Sequence, residues 1–257
     1  MKKETLLNFI QKYYLSGLID SVLWKVVDNT LTVHGLADGK SVRNIITCNN
    51  IDLEDCELII VNTETLISLL SALDDDNINI KVNTHKNIPM SLKMTDSAID
   101  LNYMLGHPDI LLSDDNMSTK IHAETKAAIK TDGLVPTIKF ELDKEGMNRF
   151  VRSRNALGKT CTRFAVITAE DSVDLVLNYD TNNSNRITLT VGAEVTDQVF
   201  DPIFFNSDIV TNIYTVNKNC ESGTFEVIVS ERGSLLVLKF SGDGWQSMYL
   251  IPSLQVI

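Results

Sequence analysis

Apolar residues recur along this chain with two alternating periods. Over Lys3–Leu15, Leu6, Phe9, Ile10 and Tyr13 fall at i, i+3, i+4 and i+7, the stripe of an amphipathic helix. A second helix is predicted from Asp143, with Met147, Phe150, Val151 and Arg154 on one face. Two further segments read as a strand running into a helix. Leu58–Val61 passes through Asn62-Thr63-Glu64 into Leu66, Leu69 and Leu70, and Pro202–Phe205 passes through Asn206-Ser207-Asp208 into Ile209, Val210 and Ile213. In both, Asn beside a hydroxyl residue can cap orphan helix N–H groups, and an acid sits in the first turn, where the helix dipole favours it. Nearly everything else alternates with period two: Leu31/Val33, Ile78/Ile80/Val82, Val173/Leu175/Leu177, Ile187/Leu189/Val191, Phe225/Val227/Val229 and Leu236/Leu238/Phe240. Turn clusters such as Asp38-Gly39, Asp74-Asp75-Asp76-Asn77, Asn182-Asn183-Ser184-Asn185 and Gly242-Asp243-Gly244 separate these runs.

The same order occurs twice: helix, strands, capped helix, strands, at nearly equal spacing in each half. This predicts an α+β fold of two similar domains, each with two helices packed on antiparallel sheets. The chain of 257 residues is long enough for both to bury a core without staples. Between Leu112 and Thr137 lies a polar stretch. It opens Ser113-Asp114-Asp115-Asn116, passes the helical-looking Ala123–Lys130 and ends at Gly133 and Pro136. Such a length is unusual for a loop within one domain. The expected division is therefore a domain over 1–112, a linker over 113–136 and a domain over 137–257.

Charge narrows the function classes. With 23 Lys and Arg against 34 Asp and Glu, the net charge is −11, which excludes a general basic coat for nucleic acid but not a local basic face. Cys48, Cys56, Cys161 and Cys220 form no CxxC pair and sit in apolar runs, as core thiols of a reducing compartment would. The opening Met-Lys-Lys-Glu-Thr has no apolar signal region, and no run approaches the ~18 apolar residues of a membrane span. A soluble intracellular protein is expected. No phosphate-binding glycine loop, nucleophile elbow, HExxH or calcium loop occurs. His34, His85, His107 and His122 lack partners at ligand spacing, and Asp74–Asp76 and Asp52/Glu54/Asp55/Glu57 read as solvated turns. No catalytic centre, metal or cofactor is expected.

Two features stand above this background. In the helix from Asp143, Lys144, Arg149 and Arg152 lie off the apolar stripe, with Arg149 and Arg152 one turn apart; Arg154 and Lys159 follow at its end. The first helix offers Lys3 and Lys12, with Lys2 in reserve, and the last carries Lys218. These eight cations (Lys3, Lys12, Lys144, Arg149, Arg152, Arg154, Lys159 and Lys218) are the candidate phosphate contacts; complementing helix C-terminal dipoles is their plainer role. The second feature is the apolar run Met248-Tyr249-Leu250-Ile251 broken by Pro252. It reads either as a blunted edge strand or as a docking surface for a peptide.

With these segments in place, the chain resembles the DNA sliding clamps, the proliferating-cell-nuclear-antigen and T4-type phage clamp family. The resemblance lies in the order of elements over almost the whole chain, most specifically in Leu58–Val82 and Phe204–Pro252. The opening Ile138-Lys139-Phe140-Glu141-Leu142 into Asp143-Lys144-Glu145 also matches the family's strand and basic helix. It implies the DNA-clamp fold and a processivity factor: a homotrimeric ring around double-stranded DNA, without sequence preference. It also implies tethering of a DNA polymerase and a clamp loader through short peptides. The peptide pocket would include Leu36, Tyr249, Leu250, Ile251 and Pro252 beside the linker, and a viral protein acting in host cytoplasm is the leaning. Strand Cys161–Glu170 would meet the edge near Ile99–Met104 of a neighbouring subunit. Two departures stand out: the helix Asn62–Leu73 carries no Lys or Arg, and no strand precedes the first helix. The competing readings are a non-encircling processivity factor and an all-β virion structural protein.

Overall fold

The structure, a computed structural model, describes residues 1–107, 136–169, 171–179, 185–196, 201–229 and 233–254. Of the linker expected at 113–136, with Ile121 and Ile129, only Pro136 is among them; His122, Glu170 and Asn182–Ser184 also lie outside. The described residues fall into two compact units. One takes those of Met1–Lys40, Asn44–Asp132 and Asp243–Ser247, the other those of Ser41–Arg43, Gly133–Gly242 and Met248–Ile257.

In the first unit, helix α1 (Lys3–Tyr14) buries Leu6, Phe9, Ile10 and Tyr13, and α2 (Thr63–Ser71) buries Thr63, Leu66 and Leu70. Asn62 caps α2 as expected, its side-chain oxygen accepting from the Thr65 N–H at 2.7 Å. Strands β1 (Val22–Val27), β2 (Thr30–Leu36), β3 (Arg43–Cys48) and β4 (Cys56–Ile60) pair in the order β3-β2-β1-β4. A second antiparallel sheet holds β5 (Asn79–His85), β6 (Ile88–Thr95) and β7 (Asp100–Met104). Phe9 meets the Trp24 ring edge-on at 6.0 Å, which locks α1 onto β1.

The Met1 amino group donates to the Ile78 carbonyl and the Ile78 N–H to the Met1 carbonyl, both at 2.9 Å, and Lys2 bridges Asn77 antiparallel. The residues ahead of α1 are thereby joined to the segment that leads into β5. Nearby, Asp96 joins the acidic turn after α2 to the β6–β7 turn. Its carboxylate accepts from the N–H groups of Ala98, Ile99, Asp74 and Asp75. Those donors, Ala98 first, hold its pKa down at about 2, so the acid run is a hydrogen-bonded turn.

The second unit repeats the plan. Its sheet runs β12-β9-β10-β11-β8-β13-β14-β15, built from β8 (Ile138–Asp143), β9 (Arg163–Thr168), β10 (Ser172–Leu177), β11 (Ile187–Val195), β12 (Ile203–Asn206), β13 (Ser222–Ile228), β14 (Leu235–Gly242) and β15 (Trp245–Pro252). Helices α3 (Lys144–Leu157) and α4 (Ser207–Val216) pack together over it. The core is aromatic: Phe150 meets Tyr214 edge-on at 5.1 Å, and Tyr214 meets Phe225 at 5.6 Å. Phe225 in turn stacks on Phe140 at 5.1 Å. At Gly223 an added Cβ would stand 2.4 Å from the Phe240 ring, so only glycine admits that ring so close to the strand.

One expectation about this sheet is corrected. The strand following Cys161 was to offer a free edge, but β9 is hydrogen-bonded on both sides, to β10 and to β12. The open backbone lies instead on β11. Its Ile187–Gly192 half pairs with β10, and only Ala193–Val195 pairs with β8. Alongside the first half, the other edge has no strand partner among the described residues.

Candidate nucleic-acid interface

The helix pair of the second unit is fixed at both ends. The Asp143 carboxylate accepts from the Gly146 N–H at 2.7 Å, and Gly158, at φ +69°, ends α3. Asn206 caps α4 by accepting from the N–H groups of Asp208 at 2.9 Å and Ile209 at 3.1 Å. With Met147 and Phe150 turned into the core, Lys144, Glu145, Asn148, Arg149 and Arg152 are left exposed on α3. Lys218 is exposed just beyond α4.

The candidate cations divide by what surrounds them. Arg149 pairs with Glu145 one turn earlier at 3.0 Å, with both side chains largely in solvent. Arg154 is only 20% exposed and pairs with Asp208 in the first turn of α4, so it joins the helices. Lys144, Arg152, Lys159 and Lys218 are exposed and have no ion-pair partner among the described residues. Lys144 and Lys218 flank a groove of about 200 Å³ between α3 and α4. Its lining also includes Met147, Val151 and Tyr214, with Asn148 and Thr215 as polar neighbours. Arg152 and Lys144 border the adjoining hollow on α3. Lys159 lies past Gly158 in a short 3-10 turn, off the helix face.

The first unit differs. Lys12, expected on the polar side of α1, is 5% exposed, and its ammonium lies 3.7 Å from the centre of the Trp245 ring. Burial against an aromatic face removes it from phosphate reach. Lys3 is half-buried and donates to the Leu73 carbonyl at 2.6 Å, at the end of α2. The exposed residues of these two helices are Glu4, Thr5, Gln11, Glu64, Thr65, Ser68 and Ser71.

The candidate peptide residues are also placed. Leu36 is half-buried at the end of β2, in the first unit. In the second, Tyr249 and Ile251 are 0% exposed, Leu250 is buried and Pro252 is exposed. The Tyr249 hydroxyl accepts from the Asn217 side-chain amide at 3.0 Å. The run that looked like an apolar surface is therefore interior at Tyr249, Leu250 and Ile251. Among the described residues no group of three or more His, Cys, Asp or Glu could hold a metal ion, and no helix is long and apolar enough to cross a membrane.

The roles of Arg149 and Arg154 are separable. Arg154→Ala is expected to cost about 1–3 kcal/mol, because it strips a partly buried hydrogen-bonded pair from the α3–α4 contact. Arg149→Ala should stay within about 0.5 kcal/mol, as exposed pairs do. Urea midpoints of the two variants check the contrast, and equal midpoints would refute it.

No family model and no curated protein matches this sequence. Solved structures do match its fold. Proliferating cellular nuclear antigen from Entamoeba histolytica superposes with a TM-score of 0.69 at 12% identity, over 99% of this chain and 97% of that one. The PCNA2–PCNA3 complex of Sulfolobus tokodaii gives 0.68 at 13%, over 98% and 97%. A. fulgidus PCNA, solved with the C-terminal region of FEN-1 bound, gives 0.69 at 12%, over 100% and 98%. The fold is that of the DNA sliding clamps, reproduced over the whole chain. At such identity the likeness resides in the arrangement of elements, so side-chain roles must stand on this chain's own geometry.

Proposed function

We propose that this chain is a DNA polymerase processivity factor, a ring-forming sliding clamp without enzymatic activity. Three copies, each with two clamp-like units, would close a ring around duplex DNA and hold a polymerase, a clamp loader and other partners through short peptides. The observation that carries this reading is the match of the whole chain, 97–100% of both partners, to three PCNA structures. Two of those are themselves assemblies, one of PCNA2 with PCNA3 and one with a FEN-1 segment. The unpaired cations on α3 and after α4 support contact with the phosphate backbone, a contact that carries no sequence information and permits sliding.

Light scattering is expected to give a particle of three times the 28.7 kDa chain mass at micromolar concentration. Loaded protein should remain on circular DNA and run off linear DNA. A monomer at high concentration, retained equally on both DNA forms, would refute the ring.

A further inference from the structure

The two helix pairs differ in their exposed charge, although the fold repeats them. In a chain of net charge −11, cations near acids are readily paired, and Lys25, Lys93, Arg149, Arg154 and Lys239 all are. Lys144, Arg152 and Lys218 are not, although Asp143 and Glu145 stand close by. Those acids are otherwise engaged: Asp143 caps α3 and Glu145 holds Arg149. Glu221 borders the same hollow without an ion pair to Lys144 or Arg152, so this face sets Lys144, Arg149, Arg152 and Lys218 against Asp143, Glu145 and Glu221 and keeps a positive excess. Lys144 and Lys218 stand across the α3–α4 groove from each other, and Arg152 lies about 12 Å from Lys144 along the helix axis. Each DNA strand advances 3.4 Å per phosphate, so that span covers more than one phosphate.

The α1–α2 face has no counterpart. Of the cations in or beside these helices, Lys12 is buried over Trp245, Lys3 is bound to a carbonyl, and only Lys2 is exposed, at the bridge to Asn77. Glu4 and Glu64 are exposed there instead, with threonine and serine hydroxyls.

We infer that the phosphate contacts of this clamp are confined to the second unit. Lys144, Arg152 and Lys218 hold the duplex backbone, while the α1–α2 face makes no ionic contact with it. This rests on the clamp reading above. Each copy of the chain then presents one binding patch and one near-neutral face, so DNA is held at alternate units only. A weaker grip with a shallower salt dependence follows than two basic units per copy would give.

The test is fluorescence anisotropy of the full chain with a linear duplex of arbitrary sequence, titrated between 50 and 200 mM salt. The variant K144A/R152A/K218A is expected to bind at least tenfold more weakly at about 50 mM salt. Its slope of log K against log salt should be shallower by at least about 2 units, since each phosphate contact contributes about 0.9. Lys2→Ala with Lys3→Gln should bind within about twofold of wild type with the same slope. Circular dichroism confirms the fold of each variant. The inference is overturned if the triple variant keeps the wild-type slope, or if the Lys2/Lys3 variant loses as much as the triple one. Mass and retention on circular DNA, measured on the same preparations, separate the two readings. A trimer retained on circles with an unchanged slope in the triple variant sinks this inference alone, whereas a monomer that ignores DNA sinks both.

Discussion

Ile251→Asp is expected to unfold the second unit rather than silence a docking surface. Ile251 is fully buried on β15, two residues from Tyr249, whose ring meets Phe240 edge-on at 6.1 Å. The Tyr249 hydroxyl binds Asn217, and Asn217 donates in turn to the Ile213 carbonyl at 2.8 Å, so this strand is tied to the end of α4. An aspartate there forfeits the burial of an isoleucine, about 2 kcal/mol, and adds an unpaired buried carboxylate worth several more. The total, about 4 kcal/mol or above, consumes most of the stability of an ordinary domain. Urea denaturation followed by near-ultraviolet circular dichroism should show the loss, and a wild-type midpoint would mean that Ile251 is not core. Leu36→Asp is the informative companion. Leu36 is half-buried, so this variant should stay folded, and any loss of affinity for a polymerase-derived peptide would then report on docking.

The repeat was legible because its signals are local. Asn62, Asp143 and Asn206 each accept a hydrogen bond from an N–H two or three residues on, so the cap and its helix share one short stretch of sequence. The apolar stripes of α1 and α3 fall where their spacing puts them. What failed depends on residues distant in the chain. Lys12 lies beside the stripe of α1 and reads as solvated; Trp245 buries it from more than two hundred residues away. Arg154 reads as a free cation until Asp208 arrives on another helix. Pro252 marks a strand end correctly, but whether the strand before it is an edge is decided by sheet order, which alternation does not encode. The same holds for β9, whose pattern gave no hint that both of its edges are used. Side-chain charge is visible in sequence, and charge that remains unpaired is visible only in the fold.

Sheet order also carries the last expectation, that the proposed ring closes through β11. Backbone N–H and C=O groups along an open edge recruit another strand unless something blunts them. Beside Ile187–Gly192 nothing among the described residues does, and the strand has no proline. At the other rim of this sheet, the Leu254 N–H already donates to the Phe204 carbonyl of β12 at 2.8 Å, so that edge is partly taken. The side chains of β11 alternate half-buried Ile187, Leu189 and Val191 with exposed Thr188 and Thr190. Such a face gains burial when a second copy adds a strand. A lysine pointing inward on an edge strand is a common natural guard against such pairing. Leu189→Lys should therefore leave the monomer folded, because the half-buried site lets the ammonium reach water. The concentration at which trimers form should rise at least tenfold, a hundredfold change in the trimer dissociation constant that corresponds to about 0.9 kcal/mol at each of the three contacts. Light scattering across a dilution series should show monomer at concentrations where the wild type is expected to be trimeric, and retention on circular DNA should fall with it. Anisotropy with a short linear duplex isolates the phosphate contacts of a single copy, which depend on α3 and Lys218 rather than on β11, so the salt slope per chain should be unchanged. A Leu189→Lys protein that assembles as wild type does would place the subunit contact on a different edge.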